Sequence, residues 1–188
     1  MEPTDDFRPT QCLSRRVVVQ TPRLRLFEDQ VRFHTGHEAI HWKVDYTRQG
    51  VGIIPVRDDG RVILGLHWRY CSERWSWEIA AGGLEPGEDF LVAAARELEE
   101  ETGHRAESFE FLLDYFPAPG LGNEHFHVFL ARGLSRTGSA LDAHEIYDTR
   151  LVDWTDFEHL VEDGAISDGF TLTAIYMAKA RGLIWREG

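Results

Sequence analysis

Several residue types are scarce in this chain, and each scarcity removes a class of protein. Cys12 and Cys71 are its only cysteines, which rules out a disulfide framework, and they have no metal-ligand spacing. Lys43 and Lys179 are its only lysines, so positive charge is almost all arginine, whose planar fork suits bidentate contacts to phosphate. Cations are also outnumbered. The net charge of −12 argues against a nucleic-acid-binding surface, which needs a basic patch. It leaves room for a small anionic ligand accompanied by a divalent cation, because the cation reverses the local sign. No apolar run approaches the ~18 residues of a membrane span. The acidic, polar start MEPTDDFRPTQ does not read as a signal peptide. The expectation is a soluble, cytoplasmic protein with no membrane or nucleic-acid partner. A Gly-x-Ser-x-Gly elbow and a P-loop are both missing, which removes esterase and kinase readings.

What is present fits one well-buried domain: 188 residues, 43% of them hydrophobic, with little left for a second domain. Residues 1–15 read as a flexible arm. Short alternating runs in residues 16–48, such as Val17–Val19, Leu24–Phe27 and Val31–Phe33, predict a small N-terminal antiparallel sheet. From residue 49 to 188 strands alternate with helices. Val51–Val56 and Arg61–Leu66 flank an Asp-Asp-Gly turn, and Trp75–Ala81 leads into a Gly-rich loop. Phe109–Tyr115, His125–Ala131 and Ile146–Trp154 are further strands. Thr155 and Glu158 have capping-box spacing for a helix over Asp156–Asp163, and a last helix is predicted from Thr171 to Arg181. This pattern predicts α/β layers around a mixed sheet. His125 and His127 share a strand face but lack a third ligand at a suitable spacing, so they read as packed histidines.

The informative stretch is Gly82–His104, GGLEPGEDFLVAAARELEEETGH. A helix from Asp89 to Gly103 places Leu91, Ala94, Ala95, Leu98 and Thr102 on one side, the expected sheet-facing stripe. Glu97, Glu100 and Glu101 stand at i, i+3 and i+4 on another. An acidic helix face is ordinarily solvated surface. Here, however, it lies in a longer pattern: Gly82, five residues, Glu88, seven residues, Arg96-Glu97-Leu98, one residue, Glu100-Glu101, one residue, Gly103. Composition alone yields that pattern by chance on the order of once in a hundred thousand trials. Crowded carboxylates are the hard oxygen ligands that Mg²⁺ takes.

The spacing resembles the signature of the Nudix hydrolases, which cleave nucleoside diphosphates linked to another group. His104 departs from it, standing where the family has an aliphatic residue. The resemblance implies an α/β/α sandwich around a mixed sheet, with Mg²⁺ (Mn²⁺ as a possible substitute) as cofactor. It implies Glu97 and Glu101 as principal metal ligands, Glu100 as a further ligand or a supporting group, and the Ala81 carbonyl as a backbone ligand. Arg96 would orient a glutamate by salt bridge, and Glu88 would hold the loop against the helix.

Trp68-Arg69-Tyr70, Trp77–Gly83 and Ala118–Glu124 further resemble ADP-ribose and nucleotide-sugar pyrophosphatases. That likeness implies hydrolysis of a diphosphate bond to a nucleoside monophosphate and a sugar phosphate. Arg69 is implied to contact the diphosphate, Glu124 the substrate, and Glu78 the same site or simply its outer strand face. The water-activating base is implied to lie on the loop from Gly133 to His144 or just after it, which leaves Glu145, Asp142 or, failing both, Glu100. Trp42, Trp68, Tyr70, Trp75 and Trp77 are candidates to stack a nucleobase. A two-fold homodimer through the N-terminal strands is a further expectation. The alternatives are another Nudix specificity, for nucleoside triphosphates or dinucleoside polyphosphates, and a non-catalytic ADP-ribose sensor.

Overall fold

The computed structural model describes residues 8–138 and 144–185. The chain divides into two compact units, residues 1–48 with 118–124, and residues 49–117 with 125–188.

The first unit is a three-stranded antiparallel sheet in the order β1-β2-β3, formed by Thr10–Gln20, Leu24–Phe33 and Glu38–Tyr46. Its first strand begins at Thr10, inside the segment read from sequence as an arm. Phe27, Asp29 and Val31 alternate as buried positions along β2, the period of a strand with one covered face. Asp29 is neutralised by Arg15 through two 2.7 Å hydrogen bonds. The proline-containing segment 118–124 docks beside β3. Val44 donates to the Leu121 carbonyl at 2.9 Å, and the Asn123 side chain accepts from the Tyr46 N–H at 2.7 Å. Gly122 allows that approach, because a Cβ there would meet the Val44 oxygen at 2.4 Å.

The second unit is three-layered. Its mixed sheet has the order β7-β4-β10-β9, from Ala80–Gly83, Gly50–Pro55, Phe126–Arg132 and Ser108–Tyr115. The β4–β10 pair is parallel and the other two pairs are antiparallel. Every residue of β4 is buried, as expected of a central strand covered on both faces. On one face Val51, Ile53, Phe129 and Ala131 pack with Ala93, Ala94 and Leu98 of α1, Phe90–Thr102. On the other, Ile54, Val128 and Leu130 join a larger core with Phe157 and Leu160 of α2, Trp154–Glu162, and Ala174, Ile175 and Ala178 of α3, Gly169–Ala180. A second sheet, β12-β5-β6, is built from Asp148–Val152, Val62–Arg69 and Arg74–Glu78, and β8, His104–Arg105, pairs with β11, Ser135–Arg136. The architecture is the expected α/β sandwich around a mixed sheet, with a small N-terminal antiparallel sheet in the other unit.

Three local expectations are corrected. In α1 the buried stripe is Ala93, Ala94, Glu97, Leu98, Glu101 and Thr102, whereas Leu91 and Ala95 are exposed. The helix is rotated so that two glutamates face inward. The Thr155 capping box does not form; Asp153, directly after β12, caps α2 by accepting from the Asp156 N–H at 2.9 Å. α3 begins before Thr171, because Asp168 caps it by accepting from the Thr171 N–H at 2.7 Å. In both helices a carboxylate outcompetes the hydroxyl or apolar start that the pattern suggested. His127, in β10, bonds Gln49 at 3.0 Å, and His125, directly before that strand, stacks on Phe116 and bonds Asp114 at 2.6 Å, so both are engaged by neighbouring side chains.

Candidate active site

The glycine pair read from sequence as the start of a loop lies in β7, where it is shaped around a carboxylate. A Cβ on Gly82 would fall 2.0 Å from Oε1 of Glu97, so only glycine lets that side chain lie across β7. One helical turn on, Oε2 of Glu101 accepts the Ala81 N–H at 3.0 Å. Both glutamates are buried. Burial holds the Glu97 carboxyl above its usual range, partly offset by Arg96. Burial also pushes Glu101 up to about 8, against the stabilising Ala81 N–H and with added repulsion from Glu97.

Arg96 fastens loop to helix. Its Nε and Nη2 grip Glu88 at 3.0 and 2.9 Å, Nη2 also reaches the Gly83 carbonyl at 3.2 Å, and Nη1 donates to Glu97 at 2.7 Å and to Glu100 at 3.2 Å. Glu88 in turn accepts from the Glu85 N–H at 2.8 Å. These hydrogen bonds, the Arg96 pairing first, hold the Glu88 carboxyl down at about 2. Asp89 starts α1 by accepting from the Leu91 N–H, and Gly103 ends it at φ 66°, the left-handed cap. The glutamate row is thereby fixed against Gly82.

A second cluster lies on the β5–β6 ladder. Arg69 places Nε 3.2 and 3.0 Å and Nη2 2.5 Å from the Glu78 oxygens. Its Nη1 makes no hydrogen bond to the described residues. Glu78 is buried, and that burial raises its carboxyl, opposed by Arg69. Asp168 and Glu101 both lie within electrostatic reach of Arg69, and Glu145 within reach of Glu97 and Glu101. The structure therefore brings Arg69, Glu78, Ala81, Glu97, Glu101 and Glu145 into one region of the second unit. Glu100 stays at the exposed rim of α1, 51% accessible. Glu124 belongs to the first unit, where burial raises its carboxyl. Asp142 lies outside the described residues.

Sequence reasoning missed Asp168, Ser76 and His67. Ser76 is buried and accepts from the Ser167 N–H at 3.2 Å. The Asp-x-x-Thr start of α3 was a readable cap signal for Asp168. Nothing local marks the other two, since their place follows from strand register.

Among the described residues no three His, Cys, Asp or Glu side chains form a ready-made metal cluster. The donors nevertheless fit a divalent cation. Two buried carboxylates share a helix face over a glycine that makes room for one of them, and each has a raised proton affinity from desolvation. Burying such carboxylates costs several kcal/mol, which Arg96 beside Glu97 and the Ala81 N–H on Glu101 offset only in part. A hard cation removes that cost with the ligand chemistry it prefers.

A NUDIX domain model matches residues 46–172, and the chain belongs to the Nudix family. It is a hydrolase of that family, whose general reaction is hydrolysis of a pyrophosphate linkage and whose members commonly use divalent metal ions. Similar proteins include the methanol dehydrogenase activator of Bacillus methanolicus, 36% identical over 129 residues, covering 66% of this chain and 69% of the relative. The ADP-ribose pyrophosphatase of Bacillus subtilis is 38% identical over 127 residues, covering 66% and 69%. The chain covers 69%, 65% and 69% of the length of three curated relatives it matches, and smaller shares of others. The solved structure of an ADP compounds hydrolase aligns with a TM-score of 0.83 over 96% of this chain and 97% of that one, at 20% identity. At that identity the likeness shows the fold.

Proposed function

We propose that this hydrolase splits the diphosphate bond of ADP-ribose or a related nucleoside diphosphate sugar, yielding a nucleoside monophosphate and a sugar phosphate. The observation that carries the reading is Arg69, a guanidinium with one edge held by buried Glu78, in the same electrostatic neighbourhood as Glu101. An anchored arginine next to inward carboxylates suits a diphosphate that arrives with cations. The Bacillus subtilis relative, named an ADP-ribose pyrophosphatase, directs the choice of substrate class.

In this reading Glu97 and Glu101 are the principal ligands for Mg²⁺, or Mn²⁺ in its place, with the Ala81 carbonyl and Glu100 contributing. Bound divalent ions supply charge neutralisation on the phosphoryl oxygens and a more acidic water. Arg96 keeps Glu97 turned toward Gly82. Glu78 is assigned to Arg69 rather than to substrate, because both its oxygens face that guanidinium, and Arg69 offers Nη1 to the diphosphate. Glu145, exposed and within reach of the glutamate pair, accepts the proton of the attacking water; Asp142 and, failing both, Glu100 are the other candidates. Glu124, in the first unit, is kept as a candidate substrate contact.

The partner is a small nucleotide sugar, and a second copy of the chain is proposed to pair through the N-terminal sheet. There Val18, Ile40 and Trp42 are exposed, more apolar surface than a solvated sheet face needs. The function is tested by incubating purified protein with Mg²⁺ and ADP-ribose, GDP-mannose or UDP-glucose and following monophosphate release. Release of AMP from ADP-ribose is the expected result. Turnover of none of the three, with cleavage of nucleoside triphosphates or dinucleoside polyphosphates instead, replaces the substrate class. Tight ADP-ribose binding without cleavage makes the protein a sensor.

A further inference from the structure

His67 is the one buried histidine among the described residues that neither a hydrogen bond nor the proposed chemistry accounts for. It is 2% exposed, and its Nε2 has no hydrogen-bond partner among the described residues. An apolar side chain would fill the same space without an orphan nitrogen, whose burial costs about 1–3 kcal/mol. The register shows what surrounds it. Gly65 pairs with Glu78, His67 with Ser76, and Arg69 with Arg74. Side chains alternate along a strand, so Gly65, His67 and Arg69 share a sheet face with Glu78 and Ser76. Arg69 and Glu78 stand in rows on opposite sides of the His67 row, and their ion pair reaches across it.

On its other side the imidazole lies over Gly65. A Cβ on that glycine would meet His67 Nε2 and Ile146 Cδ1 at 3.2 Å each. Ile146 follows Glu145 directly and is itself buried, and the next residue, Tyr147, donates its N–H to the Leu66 carbonyl at 3.0 Å. His67 therefore stands in the row between Arg69 and Glu78, and its ring and Ile146, in the segment carrying the proposed base, both approach Gly65.

We infer that His67 is a positioning residue that seats the Arg69–Glu78 pair and ties it to the Glu145–Tyr147 segment. The inference rests on the function proposed above for Arg69. The ring occupies the row of the sheet that the ion pair spans. It makes no hydrogen bond to Glu78, whose carboxylate is held by Arg69 and, on its own strand, by the Ser76 hydroxyl. Desolvation first and Arg69 second hold the imidazole down at about 4, so it stays neutral beside the arginine in ordinary buffer.

The test is a double-mutant cycle of His67→Ala and Arg69→Ala, read in KM and kcat for the diphosphate substrate and in the Kd of ADP by calorimetry. His67→Ala is expected to raise KM and Kd about tenfold with kcat changed less than about threefold, the pattern of lost ground-state binding. In the Arg69→Ala background the same change adds less than about twofold, because residues acting through one another are not additive. His67→Gln, which keeps a planar polar end, recovers most of the loss. KM and Kd within about twofold of wild type in His67→Ala, or effects that multiply in the double variant, overturn the proposal. Should His67→Ala not fold, His67→Asn takes its place in the cycle. If the wild type turns over no nucleotide sugar, the substrate reading fails separately, and the cycle is read on the diphosphate the enzyme does cleave and on ADP binding.

Discussion

At Gly82 backbone and chemistry meet in one atom that is absent. A methyl group there would overlap Glu97 Oε1 at 2.0 Å, so Gly82→Ala displaces a carboxylate while leaving the residue's charge intact. Displacement of about an ångström at a reacting centre costs on the order of 10²-fold. Gly82→Ala is therefore expected to lower kcat about a hundredfold and to abolish the thermal shift on adding Mn²⁺, measured by differential scanning fluorimetry. A folded variant with near-normal kcat would remove Glu97 from the metal site. His67 gives a pH prediction. Its folded value of about 4 lies below the unfolded 6.5, so the unfolded chain binds more protons between them. Stability then falls as pH drops through that window, by on the order of 2–3 kcal/mol from this group at 1.36 kcal/mol per unit. Arg69 opposes protonation of His67 and Glu78 would favour it; both are retained in His67→Gln. The denaturation midpoint of wild type should therefore fall more steeply than that of His67→Gln between pH 6.5 and 4, and equal slopes would contradict the burial argument. Gly82 and Glu97 were singled out by the resemblance that their spacing carries, because both belong to one loop–helix motif. His67 and Ser76 were not, since their relation to Arg69 exists only once β5 and β6 are in register.

The helix that carries the site is held at both ends by local chemistry that can be removed singly. Asp89→Ala deletes the side-chain acceptor for the Leu91 N–H and is expected to cost about 1 kcal/mol. Gly103→Ala forces a side chain into φ 66° at a cost of about 1–2 kcal/mol. Neither residue touches the carboxylate row, so each should lower the urea midpoint while kcat changes less than about twofold at 25 °C, a margin set by the fraction still folded. A large kcat loss without loss of stability would mean that the cap also positions Glu97. Both ends of α1 were readable in sequence because caps are local. Its rotation was not. A hydrophobic criterion selects Leu91 and Ala95 for the core, yet the helix exposes both and buries Glu97 and Glu101. The sheet presents Gly82 and the Ala81 N–H at that point, a polar cradle that hydropathy scores as solvent. The error in phase and the location of the site thus have the same origin. Three strands of the mixed sheet, β4, β9 and β10, were legible as apolar runs; β7, Ala80–Gly83, was read partly as the Gly-rich loop, and the order of the strands, with β10 parallel to β4, depends on long-range pairing that no window of sequence contains.

For the molecule as a whole, the −12 charge and the apolar N-terminal sheet pull in different directions. Net charge of that size disfavours association through any broad acidic surface, so a second copy must pair through a patch where charge is locally balanced. The N-terminal sheet supplies one. Arg16 pairs with Glu28, Arg25 with Asp45 and Arg32 with Glu38, which leaves its salt bridges neutral as pairs. Trp42 stands beside Glu28 in the β2–β3 register, and Ile40 beside Gln30, so these two exposed side chains share one face. β1 is exposed along its whole length, and an open edge of this kind invites pairing with another chain. The proposed dimer therefore depends on apolar contact and strand edges rather than on ion pairs. Raising salt from 50 to 500 mM should leave it intact or strengthen it, since screening weakens the repulsion between two copies of an acidic chain. Trp42→Glu adds charge to the exposed Ile40–Trp42 face and should convert a dimer into a monomer in light scattering at micromolar concentration, with the far-ultraviolet circular dichroism unchanged. A wild-type monomer under those conditions, or a dimer that persists in Trp42→Glu, would place the partner surface elsewhere or remove it.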